Sequence, residues 1–237
     1  MDKKDRLIVA LDVDTQEKAL GLVEKLKNDI KFFKVGLELF SSCGPEIVDK
    51  IRRKGCNVFL DLKLHDIPNT VAKASASITR LRPFMFNVHA LGGYDMMKKA
   101  AGAAAEEAKN LKLERPKILA VTVLTSMDEN ALKNIGISDT INTQVLKLAK
   151  LAKEALLDGV VASPREAKLI RQKLGEDFLI VTPGVRPSWA VSGDQKRLAT
   201  PKEAIDAGAD YIVVGRPVIE AADPNEAVKK ILQEIAS

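Results

Sequence analysis

Short apolar runs alternate with longer amphipathic stretches eight times along this chain of 237 residues. The runs are four to six residues long and rich in β-branched and aromatic residues, as is typical of buried parallel strands. We predict strands at Leu7–Leu11, Phe32–Val35, Val58–Leu62, Met85–Val88, Ile118–Val123, Gly159–Ala162, Leu179–Thr182 and Tyr211–Val214. The stretches between them carry an apolar residue every three or four positions and are predicted as helices, for example Gln16–Leu26, Thr70–Leu81, Gly93–Lys109, Thr140–Leu157 and Asn225–Ile235.

This alternation predicts one α/β domain, a single (β/α)8 barrel that spans residues 1–237, because no linker interrupts the units. A doubly wound open sheet is the alternative, but no G-x-G-x-x-G sequence follows the first predicted strand. Helix boundaries support the assignment. A capping residue, a proline and a glutamate predict capping boxes at Ser163–Glu166, Thr200–Glu203 and Asp223–Glu226. Glycines are expected to end helices at Gly55, Gly159, Gly175 and Gly208.

Composition excludes several classes of protein. No apolar run approaches the roughly 18 residues of a membrane span. The net charge of +5 is spread along the predicted helices without a basic block, so nucleic-acid binding is disfavoured and an anionic small substrate fits. The first residues lead into a strand without a signal-peptide core, so we expect a cytoplasmic protein. Cys43 and Cys56 are too few for a disulfide framework and are expected to be inert.

The stretch from Asp61 to Thr70, DLKLHDIPNT, follows the third predicted strand and concentrates charge at its end. Regular alternation along a strand places Asp61 and Lys63 on one face. Asp66 lies close enough for the chain to fold back over the lysine. Because isolated buried charges are costly, such a cluster persists only if its members pair or the site needs them. A surface loop of solvated charges is the alternative.

Polar side chains also occur at nearly all of the remaining predicted strand ends, where (β/α)8 barrels build their active sites. These residues are Asp12, Lys34, Asn87, His89, Thr122, Thr125 and Ser126, with Gly36 leaving room beside Lys34. Strands seven and eight are followed by Gly184 with Arg186 and by Gly215 with Arg216, pairs suited to a phosphate. The long segment from Pro183 to about Ala199, with Asp194 and Gln195, is predicted to be a lid, or alternatively a disordered excursion.

The two histidines do not suggest a metal centre. His65 is interpreted as a capping or hydrogen-bonding residue, and His89 could pair with Asp61. A divalent ion at this place would have a lysine ammonium at its centre, so we predict no metal.

Taken together, these motifs resemble the orotidine 5′-phosphate decarboxylase family in its bacterial form. The resemblance rests on D-x-K-x-x-D-I-P-N-T at 61–70, Lys34 after two phenylalanines, V-T-V-L-T at 121–125, P-G-V-R at 183–186, Asp194 with Gln195, and V-G-R at 214–216. Magnesium-dependent sugar-phosphate decarboxylases and aldolases share the shorter D-x-K-x-x-D motif and remain an alternative. A sensor that binds a phosphate ligand without catalysis is another.

The resemblance implies conversion of orotidine 5′-monophosphate to uridine 5′-monophosphate (UMP) and carbon dioxide without a cofactor. It also implies a homodimer with active sites at the interface, where Asp66, Ile67 and Thr70 reach across from the neighbouring subunit. Lys63 would be the proton donor, and Asp61, Asp66 and Lys34 would complete the catalytic set. The remaining implied substrate contacts are Asp12 and Lys34 to ribose, Thr125 to pyrimidine, Arg186, Gln195, Gly215 and Arg216 to phosphate, and Pro183 and Asp61 beside them.

Overall fold

Eight parallel strands close into a barrel in the order of the chain, with β8 pairing to β1. The computed structural model describes residues 3–190 and 199–236. The strands are β1 Leu7–Ala10, β2 Phe32–Gly36, β3 Asn57–Leu64, β4 Met85–His89, β5 Lys117–Val121, β6 Gly159–Val161, β7 Leu179–Thr182 and β8 Tyr211–Val214. The predicted (β/α)8 barrel is therefore confirmed, and the strand boundaries differ from the predictions by at most two residues.

The helices of the described residues lie outside the barrel. They are α1 Gln16–Leu26, α2 Leu37–Cys43, α3 Glu46–Arg52, α4 Pro68–Arg80, α5 Gly93–Leu111, α6 Glu129–Asn134, α7 Ile141–Glu154, α8 Pro164–Leu174, α9 Pro201–Asp206, α10 Arg216–Ile219 and α11 Pro224–Ala236. Their apolar faces pack on the outward side chains of the strands and form the larger of two buried cores. No helix among the described residues is long and apolar enough to cross a membrane.

The smaller core fills the inside of the barrel, because alternate side chains of each strand point inward. Three aromatic rings close its N-terminal end. The centroid of Phe32 lies 4.9 Å from that of Phe84 and 5.6 Å from that of Tyr211. With this end closed by apolar side chains, polar groups can gather only towards the C-terminal ends of the strands.

The predicted helix boundaries are mostly confirmed. Capping boxes form at Ser163 with Glu166 and at Thr200 with Glu203. The third predicted box is incomplete. Asp223 accepts a hydrogen bond from the Glu226 backbone at 3.3 Å, while the Glu226 side chain lies 3.9 Å from Lys230.

Gly159 begins β6, which confirms the start of the predicted strand Gly159–Ala162, but it does not end a helix as was also expected. A Cβ atom at this position would lie 2.2 Å from the backbone oxygen of Leu179 on β7. The glycine is required because the two strands approach too closely for any side chain. The other three glycines have positive φ angles, as a helix end requires.

Candidate active site

The end of β3 departs from a regular strand. Leu60 pairs with Phe86 of β4, but the next pairing joins Leu64 to Val88, so three residues of β3 lie opposite one residue of β4. Within this bulge Lys63 has a φ of 52°, a left-handed conformation that is rare for a residue with a side chain. The predicted proximity of Asp61 and Lys63 is observed, but it arises from the bulge instead of from regular alternation.

Asp61 lies at the centre of a charge network inside the barrel mouth. Its side chain accepts a hydrogen bond from Lys63 Nζ at 2.7 Å and lies 3.4 Å from Lys34 Nζ. Lys34 also donates to Asp12 at 2.9 Å. Asp61 is only 8% exposed and Lys34 only 9%, so both charges depend on these partners. Two carboxylates and two ammonium groups alternate, and their formal charges cancel.

Two glycines leave space for this network. A Cβ atom on Gly36 would lie 2.9 Å from Lys34 Nζ, which confirms the room predicted beside that lysine. A Cβ atom on Gly215 would lie 3.3 Å from Asp12 Oδ2. Side chains at these two positions would therefore press on the pair formed by Asp12 and Lys34.

Asn87 is a site residue that was noted at a strand end but given no role. It is fully buried on β4, donates to Asp61 Oδ1 at 2.7 Å and accepts from the Lys63 backbone at 2.8 Å. The feature that could have identified Asn87 as a site residue is its inward-facing position, two residues before the end of β4. The sequence did not show which groups it contacts.

Asp66 does not fold back over Lys63 within the described chain. Its carboxylate accepts the backbone N–H of Ile67 at 2.6 Å, whereas the ion pair of Lys63 is with Asp61. Asp66, Ile67 and Thr70 are all exposed, and Ile67 is 66% exposed despite its apolar side chain. The predicted contact within one subunit is therefore wrong, because helix α4 starts directly after Asp66 and carries the chain away.

His89 stacks on His65 instead of pairing with Asp61. The ring centroids are 5.4 Å apart with an angle of 21° between the planes. Asn87 occupies the place beside Asp61 that was suggested for His89. Burial lowers the pKa of His89, and the nearby His65 and Lys63 lower it further. Its Nδ1 atom is buried without a hydrogen-bond partner among the described residues. The neutral imidazole is therefore favoured.

A cavity of about 200 Å³ lies above these charges. Its lining includes Lys34, Asp61, Lys63, Thr125 and Pro183. Its apolar lining is formed by Phe59, Val121, Val123, Leu124, Val161, Ala162 and Val213. An apolar pocket with a few convergent charged groups can enclose a planar ring and present a cation to one of its edges.

The residues predicted to bind phosphate lie after β7 and β8. Gly184 is exposed with a φ of 74°, and the backbone of Arg186 donates to the Ala199 carbonyl at 3.0 Å. Arg216 is exposed at the first position of α10, and Gly215 precedes it. Asp194 and Gln195, like the rest of residues 191–198 in the predicted lid, lie outside the described residues.

Metal ligands are not grouped in the part of the chain that the structure describes, where no three His, Cys, Asp or Glu side chains are placed to share an ion. Around Asp61 the neighbouring groups are two ammonium groups and an amide. The ammonium groups and the amide nitrogen face Asp61 as hydrogen-bond donors, and the amide oxygen already accepts the Lys63 backbone N–H.

Comparison with known families gives one consistent result. The sequence model described as "Orotidine 5'-phosphate decarboxylase / HUMPS family" matches residues 5–231. A protein of Trichlorobacter lovleyi named orotidine 5′-phosphate decarboxylase is 51% identical over 236 residues, which cover 100% of this chain and 97% of that protein. One of the same name from Syntrophomonas wolfei is 50% identical and covers 99% of each.

Solved structures agree with the sequence comparisons. The crystal structure of orotidine 5′-phosphate decarboxylase from Lactobacillus acidophilus superposes with a TM-score of 0.87 at 40% identity, covering 98% of this chain and 100% of that one. An uncharacterized conserved protein from Geobacillus kaustophilus superposes with a TM-score of 0.84 at 39% identity, covering 96% and 99%.

Proposed function

This chain belongs to the orotidine 5′-phosphate decarboxylase / HUMPS family, and from that membership we infer that it converts orotidine 5′-monophosphate to UMP and carbon dioxide. Relatives about half identical over essentially their full length carry the name of this decarboxylase. The reaction is the last step of de novo UMP biosynthesis, and we also propose a cytoplasmic location. The observation that carries the chemistry is the contact of 2.7 Å between the Lys63 ammonium and Asp61 beside the cavity.

Lys63 is the proposed proton donor. Loss of carbon dioxide from C6 of the pyrimidine leaves a carbanion in the plane of the ring, where delocalisation is poor. An ammonium group fixed beside that carbon stabilises the developing negative charge and then supplies the proton. Among the described residues, Lys63 combines a cavity-lining position with a side chain that is 31% exposed, so part of this side chain is accessible to a ligand.

Asp61 and Lys34 keep this proton donor ready. The Asp61 carboxylate accepts a hydrogen bond from Lys63 Nζ at 2.7 Å and so fixes the direction in which the ammonium group points. Lys34 in turn offsets the charge of Asp61 and is itself held by Asp12. We assign Asp12 and Lys34 to the ribose, and Thr125 and Pro183, which also line the cavity, to the pyrimidine.

The phosphate group is assigned to Arg186, Gln195, Gly215 and Arg216. Arg216 begins α10 directly after Gly215, beside the strand end that also borders Asp12. A guanidinium group binds phosphate through paired charge-assisted hydrogen bonds, and backbone N–H groups can add to them. Binding energy from this remote group helps to organise the charges around the reacting carbon.

A second subunit is the proposed source of the remaining carboxylate. Asp66 is exposed and lies apart from Lys63 in its own chain, and the exposed Ile67 beside it offers an apolar contact. In a homodimer with paired active sites, Asp66 of one subunit would approach Lys63 of the other, with Ile67 and Thr70 lining the shared site. The second carboxylate would then give the Lys63 ammonium a second charged partner beside the reacting carbon.

Turnover of orotidine 5′-monophosphate in the presence of a chelator tests the function. We expect loss of the orotidylate absorbance at an undiminished rate after exhaustive treatment with EDTA, and no reaction with ketose phosphates. Magnesium-dependent turnover of a sugar phosphate without decarboxylation of orotidylate would instead assign the chain to the other activity within its family.

A further inference from the structure

Asn87 is the residue of β4 that faces the bulge in β3. The pairings on either side of it, Leu60 with Phe86 and Leu64 with Val88, leave Asp61, Leu62 and Lys63 opposite Asn87. Its side chain contacts both ends of that three-residue excursion. The amide oxygen accepts the Lys63 backbone N–H at 2.8 Å, and the amide nitrogen donates to Asp61 Oδ1 at 2.7 Å.

The bulge needs such support because it is strained at the residue that carries the chemistry. Lys63 adopts a φ of 52°, where contacts of Cβ with the backbone are unfavourable. Residues held in sparsely populated backbone regions persist only when their surroundings over-determine them. The bulge also interrupts the ladder of hydrogen bonds between β3 and β4, so the Lys63 N–H requires an acceptor from a side chain.

An asparagine side chain suits both contacts. One group must accept from a backbone N–H, and a second group close beside it must donate to a carboxylate. Aspartate offers the acceptor without the donor, and leucine offers neither at a similar size. Asn87 is fully buried, so water does not readily replace a lost contact.

We propose that Asn87 is a positioning residue that holds the left-handed backbone of Lys63 and the carboxylate of Asp61 in a fixed relation. This proposal rests on the function proposed above only for the role of the Lys63 ammonium. Asn87 itself does not line the cavity. Asn87 acts on the substrate indirectly, because it fixes the directions in which the Lys63 side chain and the Asp61 carboxylate point.

Asn87→Leu tests the proposal, with Thr79→Val as the matched control. Thr79 is a buried polar residue of α4 whose hydroxyl donates to the Ser75 carbonyl at 2.8 Å, away from the cavity. We expect Asn87→Leu to lower kcat about ten- to a hundredfold, because small displacements of a catalytic group are costly. Its Kd for UMP should stay within about threefold of the parent value, since the proposed phosphate contacts remain. Thr79→Val should change neither quantity.

A crystal structure of Asn87→Leu gives a second readout that does not depend on turnover. We expect Lys63 to leave the left-handed region, and its Nζ atom to move away from Asp61. If the parent chain fails to decarboxylate orotidylate, the proposed function is wrong, yet this structural result still decides whether Asn87 holds the bulge.

Asn87→Asp keeps the shape of the side chain and the oxygen that accepts the Lys63 N–H. This variant tests the proposal if Asn87→Leu does not fold. It removes the amide donor and places a second carboxylate against Asp61, so that the two like charges repel and Asp61 is displaced. We again expect a lower kcat with UMP binding retained. A folded variant of either kind with kcat within about twofold of the parent would overturn the proposal. An unchanged Lys63 backbone, or equal losses of kcat and UMP affinity, would also overturn it.

Discussion

At the scale of single residues, the charges of the site are interdependent. Asp61 is shared by two ammonium groups, and Lys34 is shared by two carboxylates. Burial of an ion pair costs about as much free energy as the pairing returns, so such a network adds little to the stability of a fold. In the mechanism proposed above, the network instead provides a fixed electrostatic field at the carbon where negative charge develops.

His89 makes the stability of the chain depend on pH. Burial lowers its pKa in the folded chain, and His65 and Lys63 add to that effect. Below the ordinary value of 6.5 the unfolded chain therefore binds more protons at this residue than the folded chain does. The contribution of His89 to the free energy of unfolding is therefore fully present above pH 6.5. It is lost as the pH falls towards the pKa of His89 in the folded chain.

His89→Phe keeps an aromatic ring against His65 and removes the titrating group. Urea unfolding at about pH 7.5 and about pH 5.5 should show a smaller loss of unfolding free energy on acidification in the variant than in the parent. The difference between the two proteins isolates His89 from other titrating groups. An equal or larger loss in the variant would contradict the assignment.

The gathering of polar residues at the strand ends could be predicted from the sequence, but the bulge in β3 could not. Inward alternation along parallel strands is enough to bring Asp12, Lys34 and Asp61 together. A left-handed lysine has no local signature, because its cost is offset by a hydrogen bond from another strand. The role of Asn87 was invisible for the same reason, since each of its two bonds spans more than twenty residues.

At the scale of elements, the contact between β6 and β7 sets a strict limit on side-chain size. Gly159→Ala would place a methyl group 2.2 Å from the Leu179 backbone oxygen, which cannot rotate away. We expect the free energy of unfolding to fall by about 1–3 kcal/mol, as for other overpacked sites. Denaturant unfolding monitored by circular dichroism measures this change.

Gly21→Ala is the matched control, since Gly21 lies exposed inside α1 with nothing within 4 Å of its Cβ position. Alanine there should stabilise the chain by about 0.5–1 kcal/mol through its higher helix propensity. If Gly159→Ala and Gly21→Ala have the same stability, the close approach of β6 and β7 does not limit the size of the side chain at position 159. The sequence could not distinguish a glycine that ends a helix from one between two strands, because both occur just before or at a strand.

At the scale of the whole molecule, barrel closure brings all eight strand ends to one rim. The hydrophobic pattern predicts this topology because each strand must be covered on both faces. A single chain does not bring Asp66 to Lys63. The sequence of one chain does not show which residues meet across two copies, so the contact between Asp66 of one subunit and Lys63 of the other remains a prediction.

Subunit mixing tests the shared site. Lys63→Ala and Asp66→Ala homodimers should each be nearly inactive, because every site lacks one group. In a mixed dimer one of the two sites has both groups intact. Random exchange makes half of the dimers mixed, so recovery should approach about one quarter of parental activity. Native mass spectrometry verifies exchange, and no recovery after verified exchange would place both residues in one subunit's site.

The central claim is that the Lys63 ammonium acts on the reacting carbon and is not required to hold the ligand. Paired measurement of kcat for orotidine 5′-monophosphate and Kd for UMP in Lys63→Ala tests it most directly. Lys31→Ala serves as the control, because Lys31 is an exposed lysine at the N-terminal end of the barrel, just before β2. We predict that Lys63→Ala lowers kcat by about 10⁴-fold or more, with Kd within about tenfold of the parent value. A kcat close to the parent value, or a loss of UMP affinity as large as the loss of kcat, would contradict the account.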